Sequence, residues 1–258
     1  MVDRAFESDV KRFNKNIYQT EKGQIREAVL SADLSFLWQS QPENGAEALT
    51  CIDVGGGLGQ INSQFAKAGY QVTHTDIAAE MVVGAEEEHS KQGISQHYRY
   101  LQSSLQKLDD VIGNEQFDVV LCHAVLEWLA DPYAALTPLI ERVKPGGWLS
   151  LMFYNLDAKL MANMIYGNFD YVNAGLQVKK KVRFSPNYPL KPENVIARLG
   201  QFPVTLVTHS GVRCFHDYMR KPDYNAEQLL ALELQYRNQN PYRQLGRYQH
   251  LLLKKDRT

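Results

Sequence analysis

Cysteine is scarce in this chain. Cys51, Cys122 and Cys214 are odd in number, far apart and set inside apolar runs, a pattern that excludes a disulfide framework and any paired metal-ligand spacing. They are expected to be buried thiols in a reducing compartment, with no metal bound. Long apolar runs are missing too: nothing approaches the ~18 residues of a membrane span. The first residues, Met1-Val2-Asp3-Arg4, carry no apolar secretion-signal stretch. A cytoplasmic location with no membrane partner is therefore expected. Internal repeats and low-complexity tracts are absent from the sequence.

An excess of charge of either sign is also lacking, since the net charge is −1. The near-zero total conceals a division. Residues 1–150 hold 12 Lys and Arg against 21 Asp and Glu, whereas residues 151–258 hold 16 against 8. A basic half on a neutral protein points to a polyanionic substrate, because clustered cations draw phosphates by counterion release. At 258 residues and 44% hydrophobic content there is material for a full core. One domain over 1–258 is expected, with an N-terminal helical extension over about 1–45.

The most informative stretch is Thr50-Cys51-Ile52-Asp53-Val54-Gly55-Gly56-Gly57-Leu58-Gly59, an apolar run that stops abruptly at glycines, as a buried strand does at a ligand-binding turn. A second acid, Asp76, closes the next strand-like run, where a carboxylate can accept both hydroxyls of a ribose. The dinucleotide fingerprint would need glycine at position 60, where Gln60 stands. Asp53-x-Gly55-x-Gly57-x-Gly59 instead resembles the first motif of the class I S-adenosylmethionine (SAM)-dependent methyltransferases. In that family the loop passes around the amino-acid part of the cofactor.

Strand-like and helix-like runs then alternate, which predicts βαβ crossovers and a parallel sheet. Strands are expected at Tyr98–Gln102, Phe117–His123, Trp148–Phe153, Val204–Phe215 and Arg247–Lys255, and a helix at Asn225–Asn238. Pro132 is expected to open a helix. Phe117-Asp118-Val119-Val120-Leu121 and Val143-Lys144-Pro145-Gly146-Gly147 resemble later motifs of the same class. The implied fold is α/β: a doubly wound, mostly parallel, Rossmann-like seven-stranded sheet with one antiparallel strand. Residues 155–192, rich in Asn, Tyr and Lys, read as a basic and aromatic insertion after strand five.

After strand four, the Asn/Asp-Pro-Pro-Tyr/Phe element of amino-group methyltransferases is replaced by His123-Ala124-Val125-Leu126-Glu127-Trp128. Cys122 stays open as a pyrimidine C5 nucleophile. That hexapeptide, with Leu149–Asn155, Gly167–Val172, Gly211–Tyr218, Lys22–Arg26, Asn16–Tyr18 and Leu245–Tyr248, looks like the bacterial tRNA 5-carboxymethoxyuridine methyltransferases over nearly the whole chain. The resemblance implies esterification of the carboxymethoxy group on a wobble uridine, with SAM as methyl donor and the tRNA anticodon stem-loop as partner. It places cofactor contacts on Arg26, Gly55, Gly56, Asp76, Leu105, Gln106 and His123, with Leu105 acting through its backbone; Asp53, from the glycine motif, is expected to join them. Lys179, Lys180, Lys181 and Arg183 resemble that family's polybasic loop and are expected to meet the RNA. Interleaved rings, Tyr166, Phe169, Tyr171, Phe184 and Tyr188, either stack on bases or pack within the insertion.

An acceptor carboxyl group is already ionised at neutral pH, so the expected chemistry is in-line methyl transfer without a general base. Arg213 is the leading clamp because guanidinium pairs bidentately with carboxylate; Tyr154 and His216 are further positioning groups. An Arg213–Asp217 ion pair is the plainer alternative. Rival readings are a carboxyl O-methyltransferase for a small acid, a non-catalytic RNA-binding module and an NAD-dependent oxidoreductase.

Overall fold

The protein is described by a computed structural model covering residues 20–39, 47–176, 188–220 and 223–257. Helix α1 (Glu21–Gln39) leads into β1 (Thr50–Val54), α2 (Asn62–Lys67), β2 (Gln71–Asp76), α3 (Ala79–Lys91), β3 (Tyr98–Gln102) and α4 (Leu108–Ile112). These are followed by β4 (Phe117–His123), α5 (Leu136–Glu141), β5 (Val143–Tyr154), α6 (Leu156–Ile165) and α7 (Phe169–Asn173). The chain then forms α8 (Pro192–Leu199), β6 (Val204–Val212), α9 (Ala226–Tyr236) and β7 (Tyr248–Lys255). The strands make one seven-stranded sheet in the order β3-β2-β1-β4-β5-β7-β6. β7 runs antiparallel to both neighbours, as expected.

Because successive side chains of a strand point to opposite faces, the sheet divides its apolar residues between two cores. Ile52, Val120, Leu149, Leu151 and Leu253 pack on one face beneath α4, α5 and α8. Cys51, Leu121, Met152 and Leu252 pack on the other beneath α1, α2 and α9. On α1 the residues Ile25, Val29, Leu30, Leu34 and Leu37 are buried. Their spacing puts them on one stripe, and Asp33 lies buried within it.

Chain order reverses direction between β1 and β4, and ligands of open α/β sheets bind beyond the strand C-termini at such a switch point. Asp53, Asp76, His123 and Tyr154 all stand at that edge. Two local expectations need correction. Residues 132–135 form a turn, with Asp131 Oδ1 accepting the N–H groups of Tyr133 (3.1 Å) and Ala134 (3.0 Å), and the helix begins only after it, at Leu136. Residues 144–147 lie inside β5, where a register shift against β4 between Phe117 and Val119 absorbs them. The segment after strand five contains two helices, α6 and α7. Asn155 caps α6 by accepting the Asp157 N–H at 2.9 Å.

Candidate active site

Gly55 adopts φ +72°, a left-handed conformation that favours glycine, and a Cβ there would lie 2.5 Å from Val125 Cγ2. A Cβ on Gly56 would meet the His74 ring at 2.6 Å. The backbone can therefore be exposed on one side only because side chains fill the other. Beneath the loop, Asn62 Nδ2 donates to Asp53 Oδ2 at 2.8 Å and lies 3.0 Å from His74 Nδ1. Tyr98 donates to Asn62 Oδ1 at 2.9 Å. Burial, only partly offset by the Asn62 hydrogen bond and reinforced by the charge of Asp76, raises the Asp53 carboxyl to about 7. Burial also lowers His74 to about 3, so its ring is neutral.

Asp76 stands at the end of β2, nine-tenths buried. Its Oδ2 accepts the Gly57 N–H at 3.0 Å and its Oδ1 the Ala78 N–H at 2.9 Å. A carboxylate has about four lone-pair sites, so with these amides bound it keeps capacity for a hydroxyl. Burial raises its pKa against the opposing pull of these amides. The turn at Leu105–Lys107 lies alongside, tied in by Ser103 N–H to Asp76 O at 2.9 Å. Leu105 turns its side chain into the core, which leaves its backbone to face the edge.

His123 ends β4, and Ala124 after it takes φ +58°. Arg26 from α1 adds to the field felt by His123, Glu127 and Tyr248. Glu127 is fully buried, with no hydrogen-bond partner on either carboxylate oxygen among the described residues. Burial outweighs the nearby amides and Arg26 and pushes its carboxyl up to about 8. Cys122 is buried, with its thiol pushed up chiefly by burial and then by Asp53 and Glu127. A buried thiol in an acidic setting is unreactive, so a C5 nucleophile is ruled out.

A second group lies beyond β5, β7 and β6. Arg213 follows β6 at φ +62°, a conformation strained for any residue that carries a Cβ. Its Nε is 2.9 Å from Asp217 Oδ2, so the ion pair expected as the plainer alternative does form. The guanidinium also lies 5.3 Å from the Tyr248 ring centre, and Arg247 lies 4.9 Å from that of Tyr154. The two tyrosines meet edge to face at 5.5 Å. Glu233 of α9 holds this loop, accepting the N–H groups of Cys214 (2.6 Å), Phe215 (3.0 Å) and His216 (2.8 Å). Burial would raise Asp217, but His216, Arg213, Arg247 and Lys22 together bring it to about 2. His216 sits between Glu21 (3.5 Å) and Asp217 (3.7 Å).

The structure thus gathers Arg26, Asp53, Gly55, Gly56, Asp76, Leu105, Gln106 and His123 along one half of the edge, and Tyr154, Arg213 and His216 along the other. Lys179, Lys180, Lys181, Arg183 and Phe184 lie outside the described residues. Tyr166 and Phe169 are 54% and 57% exposed, so neither ring is core. Tyr171 lies under Lys159. Sequence reasoning missed Arg247, Tyr248 and Glu127 as site residues: the β5–β7 register, which pairs Tyr154 with Tyr248, brings the first two here, and Glu127 comes in on the turn after β4.

Comparison with known proteins decides the family. Residues 52–151 match the methyltransferase-domain family. The chain is 40% identical over 261 residues to the tRNA 5-carboxymethoxyuridine methyltransferase of Escherichia coli strain K12, spanning 100% of this chain and 98% of the relative. This chain belongs to the tRNA 5-carboxymethoxyuridine methyltransferase family. As a member it is a SAM-dependent methyltransferase of class I fold. A ubiquinone biosynthesis O-methyltransferase of Paramagnetospirillum magneticum is 36% identical, but over 121 residues, 47% of each chain. Among solved structures, magnesium protoporphyrin IX methyltransferase of Synechocystis PCC 6803 with bound SAH superposes with TM-score 0.61 at 15% identity, over 95% of this chain and 93% of that one. A SAM-dependent methyltransferase of Aquifex aeolicus gives 0.55 at 15% identity, over 96% and 98%. At such identities these structures bear on the fold alone.

Proposed function

We propose that this protein methylates the carboxylate of 5-carboxymethoxyuridine at the wobble position of tRNA, converting it to the methyl ester 5-methoxycarbonylmethoxyuridine. The observation that carries this reading is the extent of the similarity. The ubiquinone enzyme's match covers about half the chain, whereas the tRNA enzyme's runs through all of it, including the Arg213, Arg247, Tyr154 and Tyr248 cluster.

Bound SAM supplies a methyl group activated by its sulfonium sulfur. The donor set fits it: Asp76 keeps capacity for a ribose hydroxyl, and the Gly55-Gly56 backbone is bare on its open side for the amino-acid part. Arg26, Asp53, His123 and the Leu105-Gln106 backbone complete this half of the site. Asp217 takes the Nε side of Arg213, so the end-on edge of the guanidinium is the one that serves an acceptor carboxylate. Tyr154 and His216 position it, and Arg247 adds a second cation. The acceptor's pKa near ~4 makes it a nucleophile without proton removal. Orientation, worth roughly 7–11 kcal/mol in favourable cases, is then what the site provides.

The test is methyl transfer from labelled SAM to tRNA carrying 5-carboxymethoxyuridine, to the same tRNA with plain uridine, and to small carboxylic acids. Alkali-labile label on the first tRNA and none on the second is the expected result. Label on small acids, independent of tRNA, would establish the small-molecule alternative instead.

A further inference from the structure

The register of the sheet places three polar residues in one row across three strands. Leu121 pairs with Ser150, and Ser150 with Leu252. His123 and His250 lie two residues along from those partners, so both share the face of Ser150. That face is covered by α1, which brings Asp33 to the end of the row. The row is hydrogen-bonded throughout. His123 Nε2 is 2.7 Å from Ser150 Oγ, Ser150 Oγ is 2.8 Å from His250 Nε2, and His250 Nδ1 is 2.8 Å from Asp33 Oδ2. Asp33 also accepts from Arg237 Nε at 2.9 Å. Ser150 and His250 are fully buried; His123, at the switch-point edge, is partly open.

We propose that Asp33, His250 and Ser150 are positioning residues that hold His123 as the neutral Nε2–H tautomer, presenting an Nδ1 lone pair to the cofactor. This rests on the SAM-dependent reading of the site. The polarity follows link by link. Burial would raise Asp33, but its bonds with His250 and Arg237 lower it overall, so Asp33 is an acceptor only and His250 Nδ1 must donate. Arg237 already bonds to Asp33, and in the proposed relay the Nδ1–H of His250 faces Asp33 while its Nε2 accepts from the Ser150 hydroxyl. A serine that donates its one proton to His250 accepts at its oxygen, and His123 Nε2 is left to donate. Burial, with Arg26 nearby, holds the His123 pKa well below its ordinary value. A ring that is uncharged and turns a lone pair outward suits a cofactor bearing a sulfonium and an ammonium; the other tautomer would point an N–H at those cations.

The test begins with the unaltered protein, free of cofactor. Long-range ¹⁵N–¹H correlation of the histidine rings should show His123 protonated on Nε2 and bare on Nδ1; a proton on Nδ1 would overturn the proposal. In Ser150→Ala the His123 ring should become a mixture of tautomers, and SAM affinity should fall roughly tenfold, as for one lost hydrogen bond to a charged group. SAH, which lacks the sulfonium charge, should lose less. Ser150→Thr, which keeps the hydroxyl, should restore both. An unchanged His123 spectrum in Ser150→Ala would equally overturn it. None of these readouts uses tRNA, so failure of the tRNA assay alone would strike the substrate and leave the tautomer standing.

Discussion

Glu127 is a fully buried carboxyl whose oxygens have no hydrogen-bond partner of good geometry among the described residues, and its titration predicts a pH effect of definite sign. Its pKa in the folded protein is about 8, against about 4.3 for an unperturbed Glu. Between those values the folded form keeps a proton that the unfolded chain has lost, so stability falls as pH rises through the window, by up to ~1.4 kcal/mol per pH unit. Glu127→Gln removes the titration with little change of shape. The variant's urea midpoint should exceed that of the parent by a margin that widens from pH ~5 to ~8 and then levels off. Asp53 contributes in the same direction and His74 in the opposite one, but both are common to the two proteins. A margin that does not vary with pH would mean that Glu127 titrates normally. At this scale Asp53 was legible because it closes an apolar run beside glycines, and Asp76 because it closes the next strand-like run. Arg247, Ser150 and His250 were not, because their partners lie on other strands and only the register reveals them.

The helices and strands divide the site into two separable halves. The glycine turn and β2 carry Asp76, while α9 reaches across with Glu233 to hold the loop of Arg213 and His216. Glu233→Gln replaces one acceptor oxygen by an N–H donor facing three backbone N–H groups, at a cost of roughly 1–3 kcal/mol. It should lower kcat/KM for tRNA roughly tenfold or more while SAH affinity stays put. Asp76→Ala should do the reverse: the loss of a ribose bond at roughly 1.5–3 kcal/mol removes cofactor affinity by about one to two orders of magnitude. Equal effects of both variants on SAH binding, measured calorimetrically, would contradict this division. Strand β4, Phe117–His123, was legible to the residue, because a strand covered on both faces is apolar throughout, whereas β5 begins five residues before its expected start at Trp148. Helix α6 was not, because Leu160, Met161 and Met164 on its outer side are exposed and blur the 3.6-residue period. The helix expected from Pro132 starts four residues later, at Leu136, after a turn that Asp131 caps.

Over the whole molecule the basic C-terminal half favours a polyanionic partner. Replacing Lys179, Lys180, Lys181 and Arg183 together by Ala should weaken tRNA binding and flatten its dependence on salt, by roughly 0.7–0.9 in slope for each phosphate that is no longer neutralised. SAM affinity should hardly move; a tRNA slope equal to that of the parent would show that these cations are merely solvated. The seven-stranded order was legible from alternation and motif resemblance together, whereas the meeting of Tyr154, Tyr248, Arg213 and Arg247 required β7 to return antiparallel beside β5. The central claim, orientation of an already ionised acceptor with no general base, is tested most directly by single-turnover methyl transfer to 5-carboxymethoxyuridine-containing tRNA as a function of pH. The expected rate is flat from about pH 6.5 to 8.5, with an alkali-labile methyl ester recovered on the wobble nucleoside, whereas a tenfold rise per pH unit across that range would reveal an essential base and contradict the account.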